Sequence, residues 1–188
     1  MRAVYNIVSR DVFLNALVAI TAIVLILLLL VNPPAEDAKA EPPGNLIVGI
    51  TWPVGNVDVD LWLDGPGEEK PVGYSRKSGA VWNLLRDDLG TPNDPMPLNF
   101  ENAYTRGIVA GDYTVNVHCY RCSGQTRVDV EIRLSVPGQT GTRLLVSTNL
   151  TLAGTGDEKT VVRFSMDADG NVDRASMHNV FVPLRGAQ

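Results

Sequence analysis

The sequence predicts an all-β fold, an antiparallel β-sandwich, tethered to a single N-terminal transmembrane helix. Three observations carry this. Residues 12–31 form an uncharged apolar run, and a proline-rich stretch follows it. From Leu46 onward the hydrophobic period changes to two, in short runs separated by turn residues. The expected organisation is a cytoplasmic N-terminus over 1–10, a helix over 11–31, a linker over 32–45 and a periplasmic β-sandwich domain over 46–188.

The helix comes first. Residues 12–31 read VFLNALVAITAIVLILLLLV, with Asn15 and Thr21 as the polar side chains. At ~1.5 Å of rise per residue this run spans ~30 Å, the thickness of a bilayer's hydrocarbon core. Asn32-Pro33-Pro34 then ends it with residues that cannot continue a helix. At about 100° per residue, Asp11, Asn15, Val18, Ala22, Leu25 and Leu29 share one face. Ala16, Ala19 and Ala22 add a ridge of small residues of the kind that lets membrane helices approach closely. Asn15 and Ala22 are therefore the expected helix-interface residues. Asp11 reads either as a carboxylate facing protein or as an interfacial residue or N-cap at the membrane edge. Arg2 and Arg10, with no acid before Asp11, place the N-terminus in the cytoplasm and the remainder outside it. A cleaved signal peptide is the alternative, with Ala38-Lys39-Ala40 as its site, but the apolar run is long for one.

Residues 32–45, NPPAEDAKAEPPGN, are a linker by composition. Four prolines make it semi-rigid, with a reach of at most ~43 Å at ~3.1 Å per residue.

Strands are expected at 46–51, 57–63, 80–85, 112–120, 127–136, 142–152, 159–166 and 178–183. The clearest is 127–136, where Val128, Val130, Ile132, Leu134 and Val136 alternate with polar residues to give one buried and one wet face. Asp64-Gly65-Pro66-Gly67, Pro137-Gly138, Gly154-Thr155-Gly156 and Asp169-Gly170 mark turns between them. Many short strands at this spacing, with no competing amphipathic helix, point to a sandwich.

Three motifs bear chemistry. Asp58 and Asp60, two apart on one strand, put both carboxylates on one sheet face. With Asp64, Asp87, Asp88 or Glu101 they form a hard-oxygen metal site suited to calcium, or else the acidic wet face of a strand. Asp167, Asp169, Asn171 and Asp173 have the spacing of an EF-type loop, but Val172 stands where glycine is needed and His178 where glutamate is; a hairpin turn accounts for the same residues. Cys119-Tyr120-Arg121-Cys122 lacks the further ligands of a zinc site and the helix start of a redox motif. A local disulfide, Cys119 to Cys122, is the expected state in an oxidising compartment, with free thiols as the alternative. No G-x-S-x-G nucleophile elbow and no phosphate loop occur, so no catalytic residues are assigned and an enzyme is not expected. The formal net charge of −5 argues against nucleic acid as a partner. No cofactor is expected, calcium excepted.

Two resemblances extend this reading. Arg10-Asp11-Val12-Phe13-Leu14-Asn15-Ala16-Leu17, then an apolar run closed by Asn32-Pro33, resembles the N-terminal segment of the ExbD/MotB-like stator subunits. The resemblance implies a B-type subunit of an ion-motive-force-driven membrane motor. Asp11 would be its ion-carrying carboxylate, and the chain a homodimer within a ring of multi-helix ExbB/MotA-like subunits in the bacterial inner membrane. Trp52 and Val57-Asp58-Val59-Asp60-Leu61-Trp62-Leu63-Asp64-Gly65-Pro66-Gly67, together with Tyr74-Ser75, Asp87-Asp88-Leu89-Gly90, Glu101-Asn102 and Ala110-Gly111-Asp112-Tyr113, resemble the YfaP-like envelope β-sandwiches over roughly 46–120. That implies a fold, with a periplasmic or cell-wall ligand of unknown identity. The other functional class is a membrane-anchored envelope binding module, calcium-dependent and without ion transport.

Overall fold

The computed structural model describes residues 2–31, 44–91 and 98–186. These fall into two compact units, one holding the helix and the other every strand. All of the linker before Gly44 lies outside the described residues.

The helix, α1, runs Arg2–Val31. It begins nine residues before Asp11, so Asp11 is not an N-cap, and its stretch Ile7–Leu28 is long and apolar enough to cross a membrane. Thr21 turns its hydroxyl back onto the Leu17 carbonyl at 2.8 Å, which hides its one donor within the helix.

Among its described residues the second unit contains nine strands: β1 (Leu46–Trp52), β2 (Asp58–Asp64), β3 (Trp82–Arg86), β4 (Asn99–Thr105), β5 (Gly111–Arg121), β6 (Thr126–Leu134), β7 (Arg143–Leu152), β8 (Glu158–Met166) and β9 (Val172–His178). They form two antiparallel sheets, ordered β3-β4-β1-β6-β7 and β2-β5-β8-β9. One apolar cluster draws on both: Val48, Ile50, Val130 and Ile132 from the first sheet, Leu61, Leu63, Val115, Val117 and Phe164 from the second. Trp82 meets Tyr113 edge-on at 6.1 Å, and Tyr113 stacks on Phe164 at 5.4 Å.

Two elements depart from the sequence expectation. β4 carries Asn99, Glu101 and Thr105 at buried positions, with Ala103 the one apolar residue among them. Its inward face is polar, so hydrophobic alternation gives no sign of it. The apolar run expected as a strand at 178–183 is not one beyond His178, and the last strand lies earlier, at Val172–His178. Val180 and Phe181 are exposed, while Val182 is held by hydrogen bonds to Thr160 and Asn116.

The outer face of the second sheet is also covered. β2 is buried along nearly its whole length, on both faces. Val59, Leu61 and Leu63 enter the core, while Asp58, Asp60 and Trp62 point the other way and are equally hidden. Trp62 lies under Tyr74, ring centroids 5.6 Å apart, and Gly73 passes so close that a Cβ there would come within 2.7 Å of the indole. Residues 182–185 cover the same sheet further along β5 and β8.

The covering segment between β2 and β3 hangs on Glu68. Its carboxylate accepts the backbone N–H groups of Ala80, Val81 and Trp82 at 2.9–3.0 Å and pairs with Arg76. Burial raises this carboxyl, but the three backbone donors and Arg76 outweigh it and hold the group below its ordinary range. Glu68→Ala strands those donors, at ~1–3 kcal/mol for each one left buried. The Val81 and Trp82 donors are buried and the Ala80 donor is exposed, so chemical denaturation should register a loss of at least ~2 kcal/mol. Glu69→Ala, at the exposed neighbouring position, should stay within ~0.5 kcal/mol of wild type.

Candidate metal centre at the edge of β2

The acidic residues converge where β2 has no strand beside it. Leu61, at that edge, donates its N–H to the Glu101 carboxylate at 2.8 Å, and Glu101 also accepts the Asp88 N–H at 3.3 Å. Glu101 reaches this position because β4 turns it inward, where it is 1% exposed. Carboxylate oxygens of Asp60, Asp87 and Glu101 lie within 4.8 Å of one another. Asp58 joins them from the start of β2, lining with Asp60 and Asp87 a pocket of about 250 Å³ rimmed by Tyr74, Leu89, Tyr120 and Arg121.

Partners already hold part of this cluster. His118 on β5 lies opposite Asp60 in register and places Nδ1 3.0 Å from its Oδ2. Arg185 Nη1 lies 3.1 Å from the other imidazole nitrogen. An arginine can only donate, so Nε2 accepts and Nδ1 carries the hydrogen given to Asp60. Lys77 pairs with Asp87 Oδ2 at 2.9 Å, and Arg121 stands 3.7 Å from Asp58 Oδ2. Two oxygens remain: Asp58 Oδ1 and Asp87 Oδ1 are buried and have no hydrogen-bond partner. Asp58 as a whole is 1% exposed.

The electrostatics follow from that crowding. Burial, then the neighbouring Asp60, pushes the Asp58 carboxyl up to about 6. Burial likewise raises Asp60, against the lowering effect of His118, and raises Glu101 well above its ordinary range. A cation bound among these carboxylates would compensate them. Calcium takes oxygen ligands at ~2.3–2.6 Å, so two oxygens on one ion stand at most about 5 Å apart, a limit the Asp60, Asp87 and Glu101 oxygens meet.

Of the other acids near Asp58 and Asp60 in the sequence reading, Asp88 is committed elsewhere. Its carboxylate accepts from Phe100, Gly90 and Arg86 and shapes the turn that presents Asp87. Gly90 closes that turn at φ +78°, where a Cβ would meet the Val57 carbonyl at 2.6 Å. Asp64 is not among the pocket-lining residues. The face bearing Asp58 and Asp60 is not wet: both are buried, which removes the solvated-strand explanation of their charge. Sequence reasoning did not give His118 or Arg185 a part in this site. A histidine two residues from the expected end of its strand carried no signal of pairing with an acid 58 positions away.

The remaining motifs resolve locally. Asp167 accepts the N–H groups of Asp169 and Asn171 and the Asn171 amide, all within the turn joining β8 to β9. Those bonds are the ones a hairpin turn makes, and His178 in place of the closing glutamate leaves an EF-type ligand set incomplete. Asp11, Asn15 and Ala22 lie on α1, which belongs to the other unit. No family model, curated protein or solved structure matches this chain.

Cys119 and Cys122 are joined by a disulfide. It brackets a β-bulge, since Val59 pairs with Cys119 and Asp58 with Arg121, leaving Tyr120 as the extra residue. The bridge therefore fixes Tyr120 and Arg121, two members of the pocket rim. Closing so short a loop restricts the unfolded chain by only about 2 kcal/mol. Reduction should lower stability by no more than that, yet weaken any ligand of the pocket, measured by titration with and without a thiol reductant.

Proposed function

We propose that this chain is a membrane-anchored envelope binding module, in which two sheets packed as a β-sandwich hold a calcium site formed by Asp58, Asp60, Asp87 and Glu101. The orphaned, buried Asp58 Oδ1 carries the reading. A structural ion-pair network would give that oxygen a donor, whereas a metal site leaves it for the ion. α1 supplies the anchor, with the module on the periplasmic side of a bacterial inner membrane. Calcium would be held by the four carboxylates, with His118 and Arg185 orienting Asp60 and Tyr74 and Tyr120 walling the approach.

The sign of the pH dependence tests this. Asp58 binds its proton more tightly folded than unfolded, so without a cation its contribution to stability is complete below the usual carboxylate range. It is lost as pH rises through about 6. In chelator at pH 7.5, Asp58→Asn should therefore stabilise the domain, by up to ~2–3 kcal/mol. Calcium should offset that difference. At 100-fold excess over Kd it adds ~2.7 kcal/mol to wild type and nothing to the variant. Extracellular calcium modules bind at ~10⁻⁴–10⁻³ M, so the measurement is thermal unfolding at ~10–100 mM calcium against chelator. A wild-type melting temperature indifferent to calcium would remove the site from consideration.

A second reading is supported by one observation on α1. Asp11 lies inside the span Ile7–Leu28 and not at the helix start. An acid at such depth is costly when charged and cheap when neutral, which is what a carrier of ions requires. In this reading the chain is the B-type subunit of an ion-driven motor, with Asn15 and Ala22 facing neighbouring helices, and the β domain anchors it or transmits force. Asp11→Asn keeps size and hydrogen bonding but removes the titratable proton. The variant should insert and assemble normally while losing every ion-driven output. Full activity in an assembled Asp11→Asn complex would leave α1 as an anchor alone.

A further inference from the structure

The acids around Asp60 do not by themselves complete the coordination of a calcium ion, which takes about six to eight oxygens. Asp60 gives Oδ2 to His118 and Asp87 gives Oδ2 to Lys77, so each has one oxygen left for a metal. Asp58 turns Oδ2 towards Arg121 and keeps Oδ1 free. With one oxygen more from Glu101, about two to four positions stay open. They face the pocket, because Asp58, Asp60 and Asp87 line it and Glu101 does not. At ~30 Å³ per water molecule, a volume of about 250 Å³ exceeds what water in those positions needs. Space remains for the body of a small molecule.

Beyond the acids the pocket wall is aromatic, aliphatic and basic. Tyr120 meets Tyr74 edge-on at 5.7 Å, and Tyr74 meets Trp62 in the same manner. Leu89 and Tyr120 are both exposed at the rim. Arg121 is the one basic residue of the lining, and its side chain is 44% exposed. It donates Nη2 to the Leu89 carbonyl, which anchors the guanidinium at the rim. Among the described residues no hydrogen bond takes its other N–H groups.

We propose that this pocket binds a small organic carboxylate, whose oxygens complete the calcium coordination and reach Arg121 while its apolar body lies against Tyr120, Tyr74 and Leu89. The inference rests on the calcium reading of the acidic cluster. Charge selects the carboxylate. Asp58, Asp60, Asp87 and Glu101 are opposed by Arg121, by Lys77 and, through the His118 imidazole, by Arg185. A bound calcium therefore leaves the cluster with one positive charge in excess. A single carboxylate cancels it, a neutral ligand leaves it, and an amine adds to it. Geometry selects the same group. Calcium takes oxygen ligands and a guanidinium matches the two oxygens of a carboxylate, and both are reached from one pocket.

The test uses the full chain in nanodiscs of zwitterionic lipid. Calcium is titrated at neutral pH with butyrate, with its uncharged analogue butyramide, or with chloride at the same ionic strength, and the apparent calcium Kd is read. Butyrate should tighten calcium binding by about fivefold or more, and butyramide should not. Free butyrate weakly complexes calcium in solution, which acts in the opposite direction. Arg121→Gln should still bind calcium, since a competing positive charge is gone, but lose the response to butyrate. If that variant does not fold, the comparison of butyrate with butyramide in wild type decides alone. A calcium Kd that ignores butyrate, an equal response to butyramide, or a full butyrate response in Arg121→Gln would each overturn the carboxylate site and leave the calcium reading standing. A protein that binds no calcium, with or without butyrate, would remove both.

Discussion

Leu61 donates its backbone N–H to a glutamate that is itself sealed from solvent, and much of the β domain is arranged to make that tolerable. An edge strand can normally turn its free N–H groups to water. β2 cannot, because the segment between β2 and β3 covers its outer face. Its unpaired donors must find acceptors inside the protein. Glu101 supplies one and the Val72 carbonyl another. The same solution recurs at Glu68, with three backbone donors, and at Asp88, with two and an arginine. Buried acids here act as acceptors for main chain that the sheets leave unpaired.

Those roles differ in completeness, and the difference separates scaffold from site. Glu68 and Asp88 are saturated by donors, which outweigh burial and keep them readily ionised. Asp58 has one orphan oxygen and a distant arginine, and burial dominates it. The cluster around Asp60 therefore combines carboxylates that the fold has neutralised with ones it has not. Second partners, the buried His118 on Asp60 and the exposed Lys77 on Asp87, pair with these carboxylates without filling them.

Much of this architecture was legible in the sequence, for identifiable reasons. Strands with apolar alternation, such as β6, announce themselves because one face meets the core and the other meets water. The apolar run of α1 is equally plain. β4 was hidden because the inward positions Asn99, Glu101 and Thr105 are polar and satisfied by tertiary partners that no local pattern encodes. The pairing of Asp58 with Asp60 on one face was visible from period two. Their burial was not, since it depends on segments folding back from positions 65–81 and 182–185. Of the four acids brought forward as their companions, the structure gathers Asp87 and Glu101. Asp88 differs from Asp87 only in which way the turn points it.

The reach of Arg185 to His118 also fixes an order of events. Synthesis proceeds from the N-terminus, so Arg185, which completes the Asp60 chain of hydrogen bonds, emerges after β1 to β9. Until residues 182–185 have been delivered, Asn116 and Glu158 lack the Val182 carbonyl and the Leu184 N–H that they hold in the finished fold. The sheet bearing the acidic cluster thus stays open to solvent until residues 182–185 have been made. The pocket therefore matures as a late step of folding, after the strands that supply its carboxylates are already paired.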